Sequence, residues 1–159
     1  VTSTDVADGE EVPVAQRGSM AGGQDLSPQL AWTGQPANVQ SYVVTMYDPD
    51  APTPSGFWHW AVCNIPGDTT ELPSGAGAAD SESLPAGSVQ VPNDLRMAQY
   101  IGAAPPPGPP HRYFIAVLAL DVPTLDQVTT DSTPAVLSFC TLGHILGYGL
   151  LIPIATPSS

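Results

Sequence analysis

Nineteen prolines and fifteen glycines punctuate this chain of 159 residues, and of its apolar runs only 134 to 151 is long enough to be read as a helix. Proline locks φ and donates no backbone hydrogen bond, so it is excluded from helix interiors and from central strand positions. What remains between the breaks is short and rich in β-branched and aromatic residues. The runs "LAW", "SYVVTMY", "FWHWAVCNI" and "HRYFIAVLALD" read as strands, the last being the longest β-pattern in the chain. In "FWHWAVCNI" the two-residue period predicts His59, Ala61, Cys63 and Ile65 on one face and Trp58, Trp60 and Val62 on the other. Both faces are largely apolar, as in a strand buried on two sides.

Residues 1–29 are polar and glycine-rich and read as one short strand, around "DGEEVPV", between loops. Residues 67–88 are turn-rich and read as a surface excursion, and "YIGAAPPPGPP" as a stiff loop of polyproline character. The segment 134–151 begins with Pro134, a residue suited to the first helical position, and is apolar nearly all round. Short strands, turn signals and one late helix predict a mainly β protein: an antiparallel β-sandwich with peripheral helices including a C-terminal one. The length fits a single domain spanning residues 1–159.

Charge excludes whole classes of function. Three arginines and no lysine stand against fifteen acids, a formal net charge of −12. Such a surface repels phosphate backbones and lacks the cations needed to hold nucleic acid or an anionic bilayer, so neither nucleic-acid binding nor stable membrane association is expected. No apolar run reaches the ~20 residues of a membrane span, because Gly143, Gly147 and Gly149 interrupt the best candidate. Cys63 and Cys140 lie in apolar runs without CxxC spacing, which excludes a zinc ribbon and favours two buried free thiols. The chain starts at Val1 without a methionine or a basic, apolar leader; a cytoplasmic location is the expectation, with a removed signal left open.

Chemistry-bearing residues collect at strand ends. "YDPDAP" closes an apolar strand with two carboxylates held between Pro49 and Pro52, a turn in which Asp side chains commonly accept local N–H bonds. In "HRY" the strand period puts His111 and Tyr113 on one face and Arg112 on the other, beside the proline loop. Arg112 is expected to brace Asp50, since a guanidinium fork suits a fixed carboxylate. Each histidine alone is more often a satisfied core group than a ligand-binder.

Taken together, "DLSPQLAW", "SYVVTMYDPDAP", "FWHWAVCNIP" and "YIGAAPPPGPPHRY", in this order and at these intervals, resemble the phosphatidylethanolamine-binding protein family, also called Raf kinase inhibitor-like proteins, and in particular its compact bacterial branch. The resemblance covers about residues 1–150. It implies a small anion-binding pocket for phosphate, acetate or a phosphorylated head group. The pocket residues it implies are Asp48, Ala51 and Pro52 from the acidic turn and Phe57 and His59 from the tryptophan-rich strand. To these it adds Ile101, Gly102, Ala104 and Pro105 from the proline loop, and His111 and Tyr113 from the last motif. The rigid turn is expected to keep its carboxylates from closing on the histidines. His111, and His59 when protonated, would donate to anion oxygens, with backbone N–H groups near Gly102 and Ala104 as neutral donors. Ala104 stands where relatives usually carry glycine or cysteine, "GPPHRY" is one or two residues shorter than in many relatives, and the chain ends in "LLIPIATPSS" where many relatives carry a Gly-x-Tyr-like stretch; these departures bear on how the loop meets the ligand and on whether a C-terminal tyrosine closes the pocket.

The resulting expectation is a small-anion or head-group binding module with a regulatory role, needing no cofactor. Two alternatives use the same surface: a small-molecule biosynthetic enzyme in which Asp48 and His111 do acid–base chemistry, and a modulator of a protein partner such as a kinase or protease. No HExxH, EF-hand or GxSxG spacing supports a metal or a nucleophile elbow. Compact bacterial relatives that often pair leave room for a homodimer.

Overall fold

The computed structural model describes residues 1–158. Among these described residues nine strands and one α-helix follow in chain order: β1 (Leu30–Ala31), β2 (Ser41–Asp48), β3 (Phe57–Pro66), β4 (Glu71–Leu72), β5 (Val89–Gln90), β6 (His111–Arg112), β7 (Phe114–Leu120), α1 (Pro134–Cys140), β8 (Ile145–Leu151) and β9 (Ile154–Ala155). An antiparallel five-stranded sheet in the order β5-β3-β2-β7-β8 forms the centre, with two small sheets, β1-β4 and β6-β9, beside it. The architecture is the mainly β, antiparallel one that the strand pattern predicts. No helix among the described residues is long and apolar enough to cross a membrane.

Each face of the central sheet buries its own apolar set. Tyr42, Val44 and Met46 of β2, with Trp60 and Val62 of β3 and Ile115 and Val117 of β7, pack under Val12, Leu30, Trp32, Leu72 and Tyr100. The opposite face packs Val43, Ala61, Cys63 and Leu120 against Leu125, Val128 and Leu137, the last supplied by α1. Both cysteines are free; Cys63 is buried and Cys140 half-buried.

Two irregularities in the β2–β3 ladder alter the faces expected from simple alternation. Tyr42 and Val44 pair with Ile65 and Val62, and Met46 and Tyr47 pair with Trp60 and Trp58, so β3 carries one extra residue at each place. Each extra residue flips the pleat beyond it. Ile65 therefore joins Trp60 and Val62 in the first core, not Ala61 and Cys63. Trp58 leaves the Trp60 side and packs on Tyr47, ring centroids 4.5 Å apart. At the first irregularity Asn64 adopts φ 58°, a left-handed conformation that asparagine tolerates, and its Oδ1 accepts from Leu125 N at 2.9 Å.

Three further expectations change in extent. The helix expected over 134–151 ends at Cys140; Gly143 takes φ 84°, and Ile145–Leu151 pairs with β7 as an edge strand. A run that is apolar on all sides carries no period to distinguish helix from strand, and the glycines tip it. His144 and Tyr148 consequently lie in the turn before β8 and in β8, not in a helix. The long "HRYFIAVLALD" pattern breaks at Tyr113, where β6 leaves to pair with β9. The N-terminal strand reduces to single bridges, Thr2 to Ala31 and Glu11 to Ile154 ahead of two short 3-10 turns, Val14–Gln16 and Ser19–Ala21, and Arg17 to Ala103 between them.

Candidate functional site

Asp48 is the last residue of β2, and Pro49 prevents the ladder from continuing. The carboxylate is buried and doubly used: Oδ1 accepts from Asp50 N at 2.8 Å, closing an Asx-type turn, and Oδ2 lies 2.7 Å from His111 Nδ1. The turn does not hold both carboxylates away from the histidines, as the sequence suggested. One of them pairs with His111 because β6 is pinned against the turn. Arg112, next along β6, spans Asp50 with Nε–Oδ2 and Nη2–Oδ1 contacts of 3.0 Å each, and its backbone N–H donates to the same carboxylate at 2.8 Å. The hydrogen bonds and charge of Arg112 hold the Asp50 carboxyl below its ordinary range. Alternation along β6 then turns His111 inward as Arg112 turns outward.

His59 arrives by a different device. It sits where β3 carries its extra residue, and its ring packs edge-on to Phe57 and Tyr113 at centroid distances of 4.9 and 5.2 Å. Nδ1 is 2.8 Å from the carbonyl of Ile101, which can only accept, so Nδ1 carries the proton. Burial lowers the pKa of this histidine, outweighing the opposing Ile101 hydrogen bond and the Asp48 charge. At neutral pH the ring is thus uncharged and its Nε2 is an acceptor, so the donor role expected of His59 when protonated needs a pH below the ordinary histidine range. Tyr113 is fully buried, and burial, assisted by the Asp48 charge, keeps its phenol protonated.

The proline loop closes the third side. A Cβ on Gly102 would come within 2.2 Å of the Arg17 carbonyl carbon, so only glycine lets these two backbone segments meet. The Gly102 N–H donates to Asp25 Oδ1 at 2.8 Å and is unavailable to a ligand, contrary to the sequence expectation.

These elements enclose a cavity of about 230 Å³. All eleven residues singled out from the sequence line it: Asp48, Ala51 and Pro52; Phe57 and His59; Ile101, Gly102, Ala104 and Pro105; His111 and Tyr113. Met20, Thr53, Leu95 and Pro106 line it too and were missed. Met20 and Leu95 are exposed apolar residues inside polar, turn-rich stretches, and that incongruity was the only signal available. Apart from the Asp48–His111 pair and His59, no titratable side chain but Tyr113 faces the cavity, and no arginine does. His144 lies elsewhere, with Nδ1 2.9 Å from Asp121 Oδ1. No group of three or more His, Cys, Asp or Glu side chains among the described residues could hold a metal ion.

Comparison with known proteins places this architecture. The profile described as phosphatidylethanolamine-binding protein matches residues 2–154. The chain is 43% identical over 146 residues to the UPF0098 protein YbhB of Escherichia coli (strain K12), covering 91% of each. It is 42% identical over 153 residues to the UPF0098 protein YbcL of the same strain, covering 94% of this chain and 78% of that one. The crystal structure of E. coli YbcL, described as a new member of the mammalian PEBP family, superposes with a TM-score of 0.92 at 38% identity, covering 97% and 95% of the two chains.

Proposed function

The chain belongs to the phosphatidylethanolamine-binding protein family, and we propose that its histidine cavity binds a small oxyanion, free or as a phosphorylated head group, in a ligand-binding module with a regulatory role. The observation that carries this reading is the buried Asp48–His111 pair at 2.7 Å in a cavity lined by no lysine or arginine. With the imidazole doubly protonated, the pair has no net charge and offers Nε2–H to a ligand oxygen without repelling it. Singly protonated, the pair is net negative and repels an anion. Neutral His59 accepts at Nε2, so the best-matched ligand combines an acceptor oxygen with an O–H, as a phosphate monoanion does. Met20 and Leu95, exposed at the mouth, supply an apolar rim for a partner that reads occupancy.

The test is phosphate and acetate titration by calorimetry or NMR at pH 8 and 5.5. Affinity should rise as pH falls. Phosphate itself gains a proton over this range, so acetate is the discriminating probe: His111→Ala should abolish the pH dependence of acetate binding and weaken binding at pH 5.5 about 10- to 100-fold, the worth of one charge-assisted hydrogen bond. His144→Ala should leave both intact. A flat pH profile in the parent, or the reverse pattern in the two variants, would overturn the assignment. A second reading rests on the same pair: a histidine oriented by a buried carboxylate is also the arrangement of a general base. Turnover of a metabolite that Asp48→Asn abolishes would favour this enzymatic reading over a binding one.

A further inference from the structure

The cavity around the Asp48–His111 pair is polar at one end and apolar over most of its wall, and a bare oxyanion uses only the polar end. That end has a short inventory. Asp48 occupies His111 Nδ1 at 2.7 Å, leaving Nε2 for a ligand, and the Ile101 carbonyl occupies His59 Nδ1 at 2.8 Å, leaving its Nε2 as an acceptor. The side-chain hydroxyls lining the cavity are those of Thr53, which donates to the Gly56 carbonyl, and Tyr113, so at most two side-chain donors meet a ligand there. The Gly102 N–H is spent on Asp25. A phosphoryl group brings three strong acceptor oxygens, more than these donors satisfy, whereas a carboxylate brings two. A hydroxyl beside that carboxylate would give His59 Nε2 the donor it lacks.

The rest of the wall is apolar: Pro52, Phe57, Ile101 and Pro105, with Leu95 and Met20 at the mouth. The two residues at the mouth are exposed, yet the turns that carry them are pinned. Buried Asn93 holds the Leu95 turn, its Oδ1 accepting from Leu95 N at 2.9 Å and from Met97 N at 3.3 Å while its Nδ2 donates to the Gln99 carbonyl at 2.9 Å. Asp25 holds the Met20 turn against the proline loop, one carboxylate oxygen accepting from Ser19 N at 3.2 Å and the other from Gly102 N at 2.8 Å. Both side chains are therefore presented to whatever occupies the cavity. The volume, about 230 Å³, exceeds the ~150 Å³ that holds benzene and leaves room for a carboxylate beside a ring.

We propose that the ligand class of this pocket is a hydrophobic 2-hydroxycarboxylic acid: the carboxylate accepts from His111 Nε2–H, the hydroxyl donates to His59 Nε2, and the apolar group lies against Phe57 and Ile101 toward Leu95 and Met20. The inference rests on the anion-pocket reading and narrows it.

The experiment titrates the full chain with mandelate, with phenylacetate, which lacks the hydroxyl, with lactate, which lacks the ring, and with inorganic phosphate, followed by amide chemical shifts. At pH 6.5 the carboxylate probes are ionised and His59 is mainly uncharged. Mandelate should bind about 10-fold or more tighter than lactate, from burial of the ring, and about 3- to 10-fold tighter than phenylacetate, the difference one neutral hydrogen bond makes. It should also outbind phosphate. His59→Phe should erase the preference for mandelate over phenylacetate, and Leu95→Ser, at an exposed position, should cost mandelate more affinity than lactate. If lactate or phosphate shifts His59 and His111 but mandelate binds no tighter than lactate, or no tighter than phenylacetate, the hydroxy-acid inference is overturned and the anion pocket stands. Phosphate binding tighter than mandelate would overturn it in favour of a phosphorylated ligand. If millimolar mandelate, lactate and phosphate all leave His59 and His111 unmoved, the pocket reading falls with it.

Discussion

His59 is where burial and titration oppose each other most directly. In the unfolded chain it takes a proton near the ordinary 6.5, whereas in the folded protein burial lowers that value. Between the two values the unfolded state binds more protons, so stability rises with pH there and is lost as pH falls below about 6.5. His59→Gln keeps an amide donor for the Ile101 carbonyl and removes the titration. Denaturant unfolding at pH 7.5 and 5 should show the parent losing more stability than the variant; equal losses would mean that the ring is not held neutral. Asp50 acts in a separate window. Its carboxyl is depressed by Arg112, so its contribution is present above the ordinary carboxylate range and disappears only as pH falls through the lower folded value.

At the scale of elements, α1 shows how a short helix holds a position. Seven residues are too few to be stable alone, so capping and burial must do it. Thr133 Oγ1 accepts from Val136 N at 3.1 Å, Pro134 fills the first turn, and Leu137 is fully buried against the second core. Thr133→Ala should cost about 1 kcal/mol as a lost cap, and Leu137→Ala about 2–5 kcal/mol as a cavity mutation. Phe139→Ala, at a residue 72% exposed, should stay within about 0.5 kcal/mol. Urea midpoints check the ranking, and a Phe139 effect as large as that of Leu137 would contradict the packing. The continuation of this segment as β8 was illegible in the sequence, because what makes it a strand is the free edge of β7, more than twenty residues earlier.

For the whole molecule, charge and apolar surface pull in opposite directions. A net charge of −12 separates copies of this chain, yet Phe139, Leu142, Leu146, Tyr148 and Leu150 are exposed on and around α1 and β8. β8 is an edge strand of seven residues without charge or proline, so it lacks the devices that usually blunt an edge. A second copy paired edge to edge through β8 is the occupant such a strand suits. Self-association at ~100 μM should therefore increase from ~0.05 to ~0.5 M salt as repulsion is screened, and Tyr148→Asp should abolish it. A monomer by light scattering at both salt concentrations would contradict pairing.

Local physics determined what the sequence alone could settle. Prolines confined the chain to short strands, and turn chemistry put Asp48 and Asp50 at a strand end. Two-residue alternation separated His111 and Tyr113 from Arg112, and the motif order made the family legible. Those are properties of a few consecutive residues. Tertiary structure alone decided the rest, because each decision joins distant segments. Asp48 meets His111 across 63 residues, and the Ile101 carbonyl fixes the His59 proton across 42. An extra residue is visible only when β3 is laid against β2, and the apolar run after Gly143 becomes a strand only because β7 offers it an unpaired edge.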